Sequence, residues 1–335
     1  MDGTNILGIG LSLCFGFIPM FIFAAIVYWS DRYEKEPKRL LVAVFLWGAI
    51  VASGSAFIIN TLLGMGVYIF TRSEAATEVT TGLLIAPFVE ELLKGIAVLV
   101  VFLLFRDEFD SLFDGIVYAV ICALGFAATE NAYYIYTYGF AENGMAGAFI
   151  LAFIRVILVG WQHPFYTAFT GIGFATARLN RNLSVKIIAP LTGLSLAMLT
   201  HSVHNTLARL VPGLVGLAST TLLDWSGWLV MILFGMWTLY REQRWIIQYL
   251  REEVSLGIIT SEQYRVACSS WAQSLARLDS LFRGRYRATN RFYQATAELA
   301  FKKHKLAVMG ESDHNILSIE RLRTELVQLS PHAGN

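Results

Sequence analysis

The chain has 335 residues, of which 56% are hydrophobic and 15% are charged. Soluble domains usually carry about 25% charged residues, so this balance excludes an ordinary soluble protein and indicates a membrane protein. A net charge of +1 and the lack of any nucleic-acid motif argue against a nucleic-acid partner. Three scattered cysteines (Cys14, Cys122 and Cys268) are too few for a disulfide framework or a cysteine zinc cluster.

The apolar runs along the chain predict the membrane spans. A run of about 20 residues can cross a bilayer, and such runs cover approximately 6–29, 40–62, 82–105, 114–138, 147–177, 186–208 and 225–245. The first run has no basic n-region, so we interpret it as a retained span and not as a signal peptide. The predicted fold class is therefore all-α, a polytopic transmembrane helix bundle of about seven spans.

Two of these spans carry residues that shape them. The fifth is long for a perpendicular helix and contains Gly160 and Pro164, so it is predicted to be kinked or broken. The seventh begins after Asp224, which we interpret as a helix N-cap at the membrane surface beside Trp225 and Trp228, in preference to a buried acid.

Lysine and arginine are concentrated in alternate loops. Within residues 1–245, the segments 31–39, 178–186 and 241–244 hold most of them, whereas the intervening loops hold few. Because cytoplasmic loops are enriched in basic residues, this predicts an external N-terminus and a cytoplasmic C-terminus. Residues 1–245 are predicted to form the membrane bundle and 246–335 a cytoplasmic helical tail.

The tail contains two patterns that suggest contacts. An apolar stripe at helical spacing predicts a helix packed on a partner surface, and it consists of Ile316, Ile319, Leu322, Leu326 and Leu329. The segment RGRYRATNR (283–291) is a basic cluster. It is either part of a solvated helical tail or a contact for anionic lipid or a partner.

The third span contains three ionisable side chains inside an apolar run, Glu90, Glu91 and Lys94. At about 100° per residue, Lys94 projects between the two carboxylates, so it can pair with one and leave the other facing a cavity. A buried structural ion pair explains one glutamate and the lysine, but the second glutamate needs another explanation. Two adjacent carboxylates in unequal environments suit acid/base chemistry.

Polar residues also occur inside the next three spans. The fourth span has Phe126 and Glu130 on one face, and the fifth has Arg155 and His163. The sixth has His201, His204 and Asn205. Each could be a satisfied structural residue, and two histidines at i,i+3 could also bind a metal. At 1.5 Å per residue, three helices each place a polar group about 10–12 Å below the outer boundary, which favours one shared site.

Taken in order, the motifs are Glu-Glu-x-x-Lys (90–94), Phe-x-x-x-Glu (126–130), a histidine (163) and His-x-x-x-Asn (201–205). This arrangement resembles the PrsW family of intramembrane proteases, which is related to type II CAAX prenyl proteases and abortive-infection-type membrane proteases. The first loop, DRYEKEPKRLL (31–41), resembles that of PrsW proteins as well. The resemblance covers about residues 10–210. It implies a multi-pass protein of the bacterial plasma membrane that cuts a single-span membrane protein, such as an anti-sigma factor, at its extracytoplasmic side.

The resemblance suggests roles for the polar residues. We hypothesise a water activated by Glu90 and held by His201, with Lys94 orienting Glu91 and with His163 or Asn205 stabilising the oxyanion. Glu130 completes the predicted catalytic set, and Arg155, Phe126 and His204 are predicted to contact substrate. For Arg155 the alternatives are an ion pair with Glu130 or extension of the side chain toward the membrane surface. No cofactor is favoured; the alternative is a zinc site made by His163 and His201 with Glu90 or Glu130.

Two functions other than proteolysis also use buried polar residues. An ion-coupled transporter would need them along its ion pathway, although it would usually show inverted repeats, which are not evident in this sequence. A non-catalytic scaffold would tolerate alanine at Glu90 or His201. The sequence leaves the substrate, the cleavage site and the oligomeric state open.

Overall fold

The computed structural model describes residues 3–31, 33–310 and 313–333, which form helices and no strand. The α-helices are α1 (Gly3–Ser30), α2 (Lys38–Leu46), α3 (Ser53–Thr71), α4 (Glu74–Thr80), α5 (Ala86–Leu104), α6 (Leu112–Tyr134), α7 (Ala141–Ala152), α8 (Gln162–Arg178), α9 (Leu183–Leu210), α10 (Gly213–Tyr249), α11 (Arg251–Ser255), α12 (Ser261–Ala267), α13 (Ser270–Phe282), α14 (Tyr286–Met309) and α15 (Asp313–Leu329). Short π-helical segments lie next to several of them, at Trp47–Ala52, Thr81–Ile85, Ile135–Phe140 and Phe153–Leu158.

Many of these helices can cross a membrane. Five stretches of the described chain are long and apolar enough, namely Asn5–Ser30, Lys38–Thr71, Leu112–Arg178, Leu183–Leu210 and Gly213–Ser255. The third is 67 residues long and changes direction at Gly144, whose φ of 64° is readily adopted by glycine. Helix α5 is 19 residues long but carries three charged residues. Six of the seven predicted spans overlap these five stretches, and the remaining one, 82–105, overlaps α5. The helices confirm an all-α, multi-pass membrane fold.

Helix α6 is the most completely buried of the spans, with residues 113–128 all buried. Small residues let its neighbours approach closely. A Cβ atom on Gly125 would lie 2.0 Å from the carbonyl oxygen of Phe45, and one on Gly171 would lie 2.0 Å from that of Gly115. Helices α2 and α8 therefore pack backbone to backbone against α6, which holds its side chains in fixed positions.

The predicted break in the fifth span is present. The π-helical segment ends at Leu158, and α8 begins at Gln162. His163 and Pro164 therefore occupy the first turn of α8, where the missing N–H of proline costs no helical hydrogen bond. The break positions His163 at a helix start inside the bundle.

The interpretation of Asp224 as an N-cap at the membrane surface is wrong. Helix α10 begins at Gly213 and continues through Asp224, whose side chain is buried. Its carboxylate accepts a hydrogen bond from the Tyr166 hydroxyl at 2.9 Å and lies 3.0 Å from Nδ1 of His204. Both hydrogen bonds go to Oδ1, and the buried Oδ2 has no hydrogen-bond partner among the described residues. The acid thus lies inside the helix with partners on neighbouring helices and does not end it.

The described chain divides into two compact units. The first contains the chain up to Trp29 together with Pro37–Arg178 and Leu183–Leu233; the second contains Ser30–Glu36, Leu179–Asn182 and the chain from Phe234 onward. Two loops predicted to be cytoplasmic are thus part of the same unit as the C-terminal segment. The predicted boundary at residue 245 stays a prediction, since α10 passes through it without interruption.

The second unit has its own apolar core around α14. The apolar stripe of α15 packs into this core, with Ile319, Leu322 and Leu326 buried. The partner surface predicted for the stripe is therefore part of the same chain. Buried Glu253 anchors the unit further, because it forms ion pairs with Lys303 at 2.6 Å and Arg323 at 2.9 Å.

Candidate active site

The ionisable residues of α5 all face the interior of the bundle. Glu90 is 7% exposed, and Glu91 and Lys94 are fully buried. Glu130 projects from α6, His163 from the first turn of α8 and His201 from α9. Four helices of the first unit thus contribute ionisable side chains to one buried cluster.

Glu91 has a partner for each of its carboxylate oxygens. Lys94 Nζ donates to Oε1, which also lies 3.0 Å from Nδ1 of His201, and Thr167 Oγ1 donates to Oε2 at 2.8 Å. Since an ionised carboxylate only accepts hydrogen bonds, His201 must carry its proton on Nδ1. The lone pair of His201 Nε2 is then available, and this atom lies 3.9 Å from Oε2 of Glu90.

His163 is held between a cation and an anion. Its Nδ1 lies 3.3 Å from Nζ of Lys94, and its Nε2 lies 2.7 Å from Oε2 of Glu130. A lysine ammonium can only donate, so His163 Nδ1 is the acceptor and Nε2 carries the proton. In this arrangement His163 presents an N–H group and not a lone pair at Nε2.

Glu130 is paired with Arg155. Arg155 Nη2 donates to Oε2 of Glu130 at 2.6 Å, and its Nε donates to Oδ1 of Asn131 at 2.8 Å. The guanidinium also lies over the ring of Tyr134, 4.2 Å from the ring centroid. These contacts bind Arg155 to α6, so its predicted contact with substrate stays a prediction.

Glu90 differs from the other two carboxylates. No lysine or arginine among the described residues forms an ion pair with it, whereas Glu91 pairs with Lys94 and Glu130 with Arg155. Its Oε1 accepts a hydrogen bond from Asn60 at 3.3 Å, and its buried Oε2 has no hydrogen-bond partner. Glu90 is therefore the carboxylate available to a ligand.

A cavity of about 710 Å³ opens onto this carboxylate. Glu90 and Glu130 line it together with Phe126, which also contacts the buried cluster, since its ring lies 4.6 Å from Lys94 Nζ and 5.2 Å from the ring of His163. The second span lines one side of the cavity with four small residues, Ala49, Ser53, Gly54 and Ala56, and with the larger side chains of Ile50 and Phe57. The shape provides room for an extended peptide beside Glu90.

Two predicted site residues lie outside the cluster. Asn205 donates to the carbonyl oxygen of Gly82 at 2.9 Å, which attaches α9 to the π-helical segment before α5. His204 lies 3.0 Å from Asp224. The two side chains hold helices together here, so their predicted roles with oxyanion and substrate stay predictions.

Three ligand atoms, one each from Glu90, His163 and His201, lie within 4.8 Å of one another, a spacing that could surround a metal ion. The unpartnered Oε2 of Glu90 and the free Nε2 of His201 fit this use. His163 fits only if it changes tautomer and gives up the hydrogen bond from Lys94, because both of its ring nitrogens are engaged. Two of the three candidate ligands, Glu90 and His201, thus fit a metal ion as they stand.

Comparison with known proteins identifies the family. Residues 36–238 match the family described as "PrsW family intramembrane metalloprotease". The chain belongs to the PrsW family of intramembrane proteases. The matched residues include every member of the buried cluster and exclude most of the second unit.

Several bacterial PrsW proteases are similar to this chain. Protease PrsW of Geobacillus kaustophilus is 31% identical over 151 residues, 45% of this chain and 60% of the relative. Protease PrsW of Oceanobacillus iheyensis is 26% identical over 230 residues, 68% of this chain and 93% of the relative. Protease PrsW of Clostridioides difficile is 33% identical over 121 residues, 36% of this chain and 48% of the relative. No solved structure matches the chain.

The PrsW-family cluster includes residues that the sequence analysis missed. Asn60 contacts Glu90, and Thr167 contacts Glu91. Tyr166 stacks on His201 with ring centroids 5.0 Å apart while it donates to Asp224. Tyr166 and Thr167 follow His163 at helical spacing, so they could have been predicted to lie on the same face as His163. Asn60 lies in an apolar span without a recognisable motif.

Proposed function

We propose that this PrsW-family chain is an intramembrane endopeptidase that hydrolyses a peptide bond by a water molecule activated by Glu90. The observation that carries the proposal is the unpaired carboxylate of Glu90, placed 3.9 Å from a free ring nitrogen of His201. Both atoms are acceptors, so a water between them can donate one hydrogen to each. Its oxygen lone pair is then directed away from both residues, toward a substrate.

The reaction begins when the water oxygen attacks the scissile carbonyl carbon and Glu90 takes a proton from the water. The negative charge that develops on the carbonyl oxygen requires a donor, and we assign this role to His163 Nε2–H, which must exchange its hydrogen bond to Glu130 for one to the oxyanion. The tetrahedral intermediate collapses as the C–N bond breaks and Glu90 gives the proton to the leaving amine. Glu91 and Lys94 fix the tautomers of the two histidines throughout.

A metal-dependent reaction is the second candidate, favoured by the three-atom group of Glu90, His163 and His201 and by the family description. Glu90 and His201 would hold the ion, and His163 would join after the change of tautomer described above. A bound zinc ion would supply Lewis acidity and lower the pKa of a bound water. Glu91 would then orient His201 from behind, as carboxylates commonly do for histidine ligands.

The substrate we propose is a single-span membrane protein, for example an anti-sigma factor, cut at its extracytoplasmic side. The apolar cavity beside Glu90 supports a membrane-embedded peptide. The orientation is supported by the second unit, in which two of the basic loops are grouped with the C-terminal segment. Loops that belong to one compact unit lie on the same side of the membrane, and the basic side is usually cytoplasmic.

Cleavage by purified protein tests the peptidase proposal. The full chain is reconstituted in liposomes with single-span proteins that carry a label on each end, and products are identified by mass spectrometry. Glu90→Gln is expected to lower the rate at least 100-fold, in line with the roughly 10²–10⁴-fold contribution of general acid–base catalysis. Glu142→Gln makes the same chemical change at an exposed position and is expected to retain the wild-type rate. Equal cleavage by Glu90→Gln and wild type would exclude Glu90 as the base, whereas no cleavage by either protein would favour the scaffold or the transporter.

Metal analysis separates the two mechanisms. The glutamate mechanism predicts wild-type cleavage after chelation and no bound zinc above the content of Glu90→Gln. The metal mechanism predicts about one zinc per chain that is lost in both Glu90→Gln and His201→Ala. Zinc that stays bound in both variants would exclude this cluster as its site.

A further inference from the structure

Helix α13 in the second unit buries polar side chains and exposes apolar ones, the opposite of an ordinary surface helix. Its buried positions include Gln273 and Ser280. Its large apolar side chains are exposed, and they are Trp271, Leu275, Leu278, Leu281 and Phe282. We call these five residues the α13 apolar face. A soluble helix normally buries such residues against its core, so this face requires another apolar environment.

The spacing of the α13 apolar face is helical. Trp271, Leu275, Leu278 and Phe282 follow one another at intervals of four, three and four residues, which aligns them along one side of the helix. Trp271 is 72% exposed and Phe282 is 82% exposed. With 13 residues, the helix is too short to cross a bilayer, although it is long enough to lie along one.

A cluster of arginines follows the α13 apolar face directly. Arg283, Arg285 and Arg287 are all exposed. Arg283 forms an ion pair with Asp279 at 2.9 Å, whereas neither Arg285 nor Arg287 forms an ion pair with a described residue. Each unpaired guanidinium can bind an anionic group, and phosphate is a group that arginine binds well.

We propose that the α13 apolar face and this arginine cluster form a peripheral membrane-binding surface for anionic phospholipid. Tryptophan, leucine and phenylalanine on one face beside basic residues are typical of helices that lie in the headgroup region. The chain itself keeps the surface near a bilayer, since the second unit is connected to membrane-spanning helices at several points of the chain. Such tethering gives a high effective concentration, so even a weak contact is populated.

A second copy of the chain is the main competing occupant, but the charge argues against it. Stacking two α13 faces in a parallel dimer would bring two arginine clusters close together, and like charges would repel. In an antiparallel dimer each cluster would lie beside the first turn of the other α13, which has no acidic residue and carries the positive end of the helix dipole. An anionic lipid surface instead neutralises them. Salt is therefore expected to weaken the contact with lipid.

Spin-label accessibility tests this proposal on the full chain. Leu278→Cys is labelled after Cys14 and Cys268 are replaced by alanine, while the fully buried Cys122 is retained. The protein is placed in nanodiscs of phosphatidylcholine alone or of an equimolar mixture with phosphatidylglycerol. The control label is Val327→Cys on α15, which is 55% exposed compared with 53% for Leu278.

The expected result is a lipid signature at position 278 in the anionic discs. The ratio of oxygen to nickel-complex accessibility should be several-fold higher than at position 327, and it should fall in phosphatidylcholine discs or when Arg285 and Arg287 are both replaced by glutamate. A label accessible to the nickel complex in the anionic discs would overturn the proposal. Low accessibility to both reagents would indicate protein contact and favour the second copy, and an equal lipid signature in both discs would overturn the role of the arginines.

Discussion

The buried pair of Lys94 and Glu91 permits a double-mutant cycle in the free energy of unfolding. Lys94→Met removes the only cation paired with Glu91 among the described residues and leaves that carboxylate fully buried. Removing one partner of a buried ion pair typically costs about 3–5 kcal/mol. Replacing Glu91 by glutamine as well removes the remaining charge, so the double variant should be more stable than Lys94→Met alone.

The stability that the double variant should regain relative to Lys94→Met follows from the hydrogen bonds of Glu91. Glutamine keeps an oxygen that can accept the hydrogen bond from His201 Nδ1 and an amide that can bond Thr167, so most hydrogen bonds of Glu91 survive. We expect a coupling energy of roughly 1–3 kcal/mol between the two sites. Reversible unfolding in mixed micelles of mild detergent and dodecyl sulfate measures it.

The control is Lys186→Met, which removes an exposed lysine and should change stability by no more than about 0.5 kcal/mol. Cleavage provides a second readout, because Lys94 also donates to His163 and fixes its tautomer. The double variant is therefore expected to regain stability without regaining activity. If its loss of stability equals the sum of the two single losses, the pair is not coupled and the reasoning fails.

Two further predictions concern groups at the edge of the active site and in the second unit. Asp224→Asn weakens the hydrogen bond that positions Tyr166 against His201, so kcat should fall while KM changes little; an unchanged kcat would mean that Tyr166 serves packing alone. Burial, reinforced by Arg241, lowers the pKa of His304 to about 4, below its usual value of about 6.5. Because the unfolded chain then binds more protons between these two pH values, the second unit should lose stability as pH falls from about 6.5 to 4. His304→Phe, which keeps the stacking on Trp245, should reduce this loss in pH-dependent unfolding, and an identical pH profile would contradict the assignment.

The helical spans and the residues of the cluster could be predicted because both depend on local patterns. Long apolar runs must become helices in a bilayer. The charges of α5 and the break before His163 stand out against an apolar background. A charge or a helix break inside a membrane costs free energy, so its presence indicates a functional site. Similar depth on neighbouring helices was then enough to place Glu90, Glu130 and His201 in one layer.

The pairing within the cluster could be predicted only in part, because it depends on rotation and on irregular helix geometry. Lys94 pairs with Glu91 as hypothesised, whereas the contacts of His163 with Lys94 and Glu130 were not predicted. Arg155 contacts Glu130 from a π-helical segment, and the sequence carries no clear signal for that change of register. Asp224 was misplaced for a related reason, since its partners Tyr166 and His204 come from other helices. The α13 apolar face was also missed, because periodicity identifies an apolar side of a helix without showing whether that side is covered.

The central claim is that Glu90 activates a water for peptide-bond hydrolysis, and the most direct measurement follows that oxygen atom. Wild-type protein in liposomes is incubated with a single-span substrate in water enriched in oxygen-18, and the new C-terminus is analysed by mass spectrometry. The account predicts one heavy oxygen atom in the new carboxylate and, with Glu90→Gln, almost no product. Product without heavy oxygen, or equal labelled product from Glu90→Gln, would contradict it.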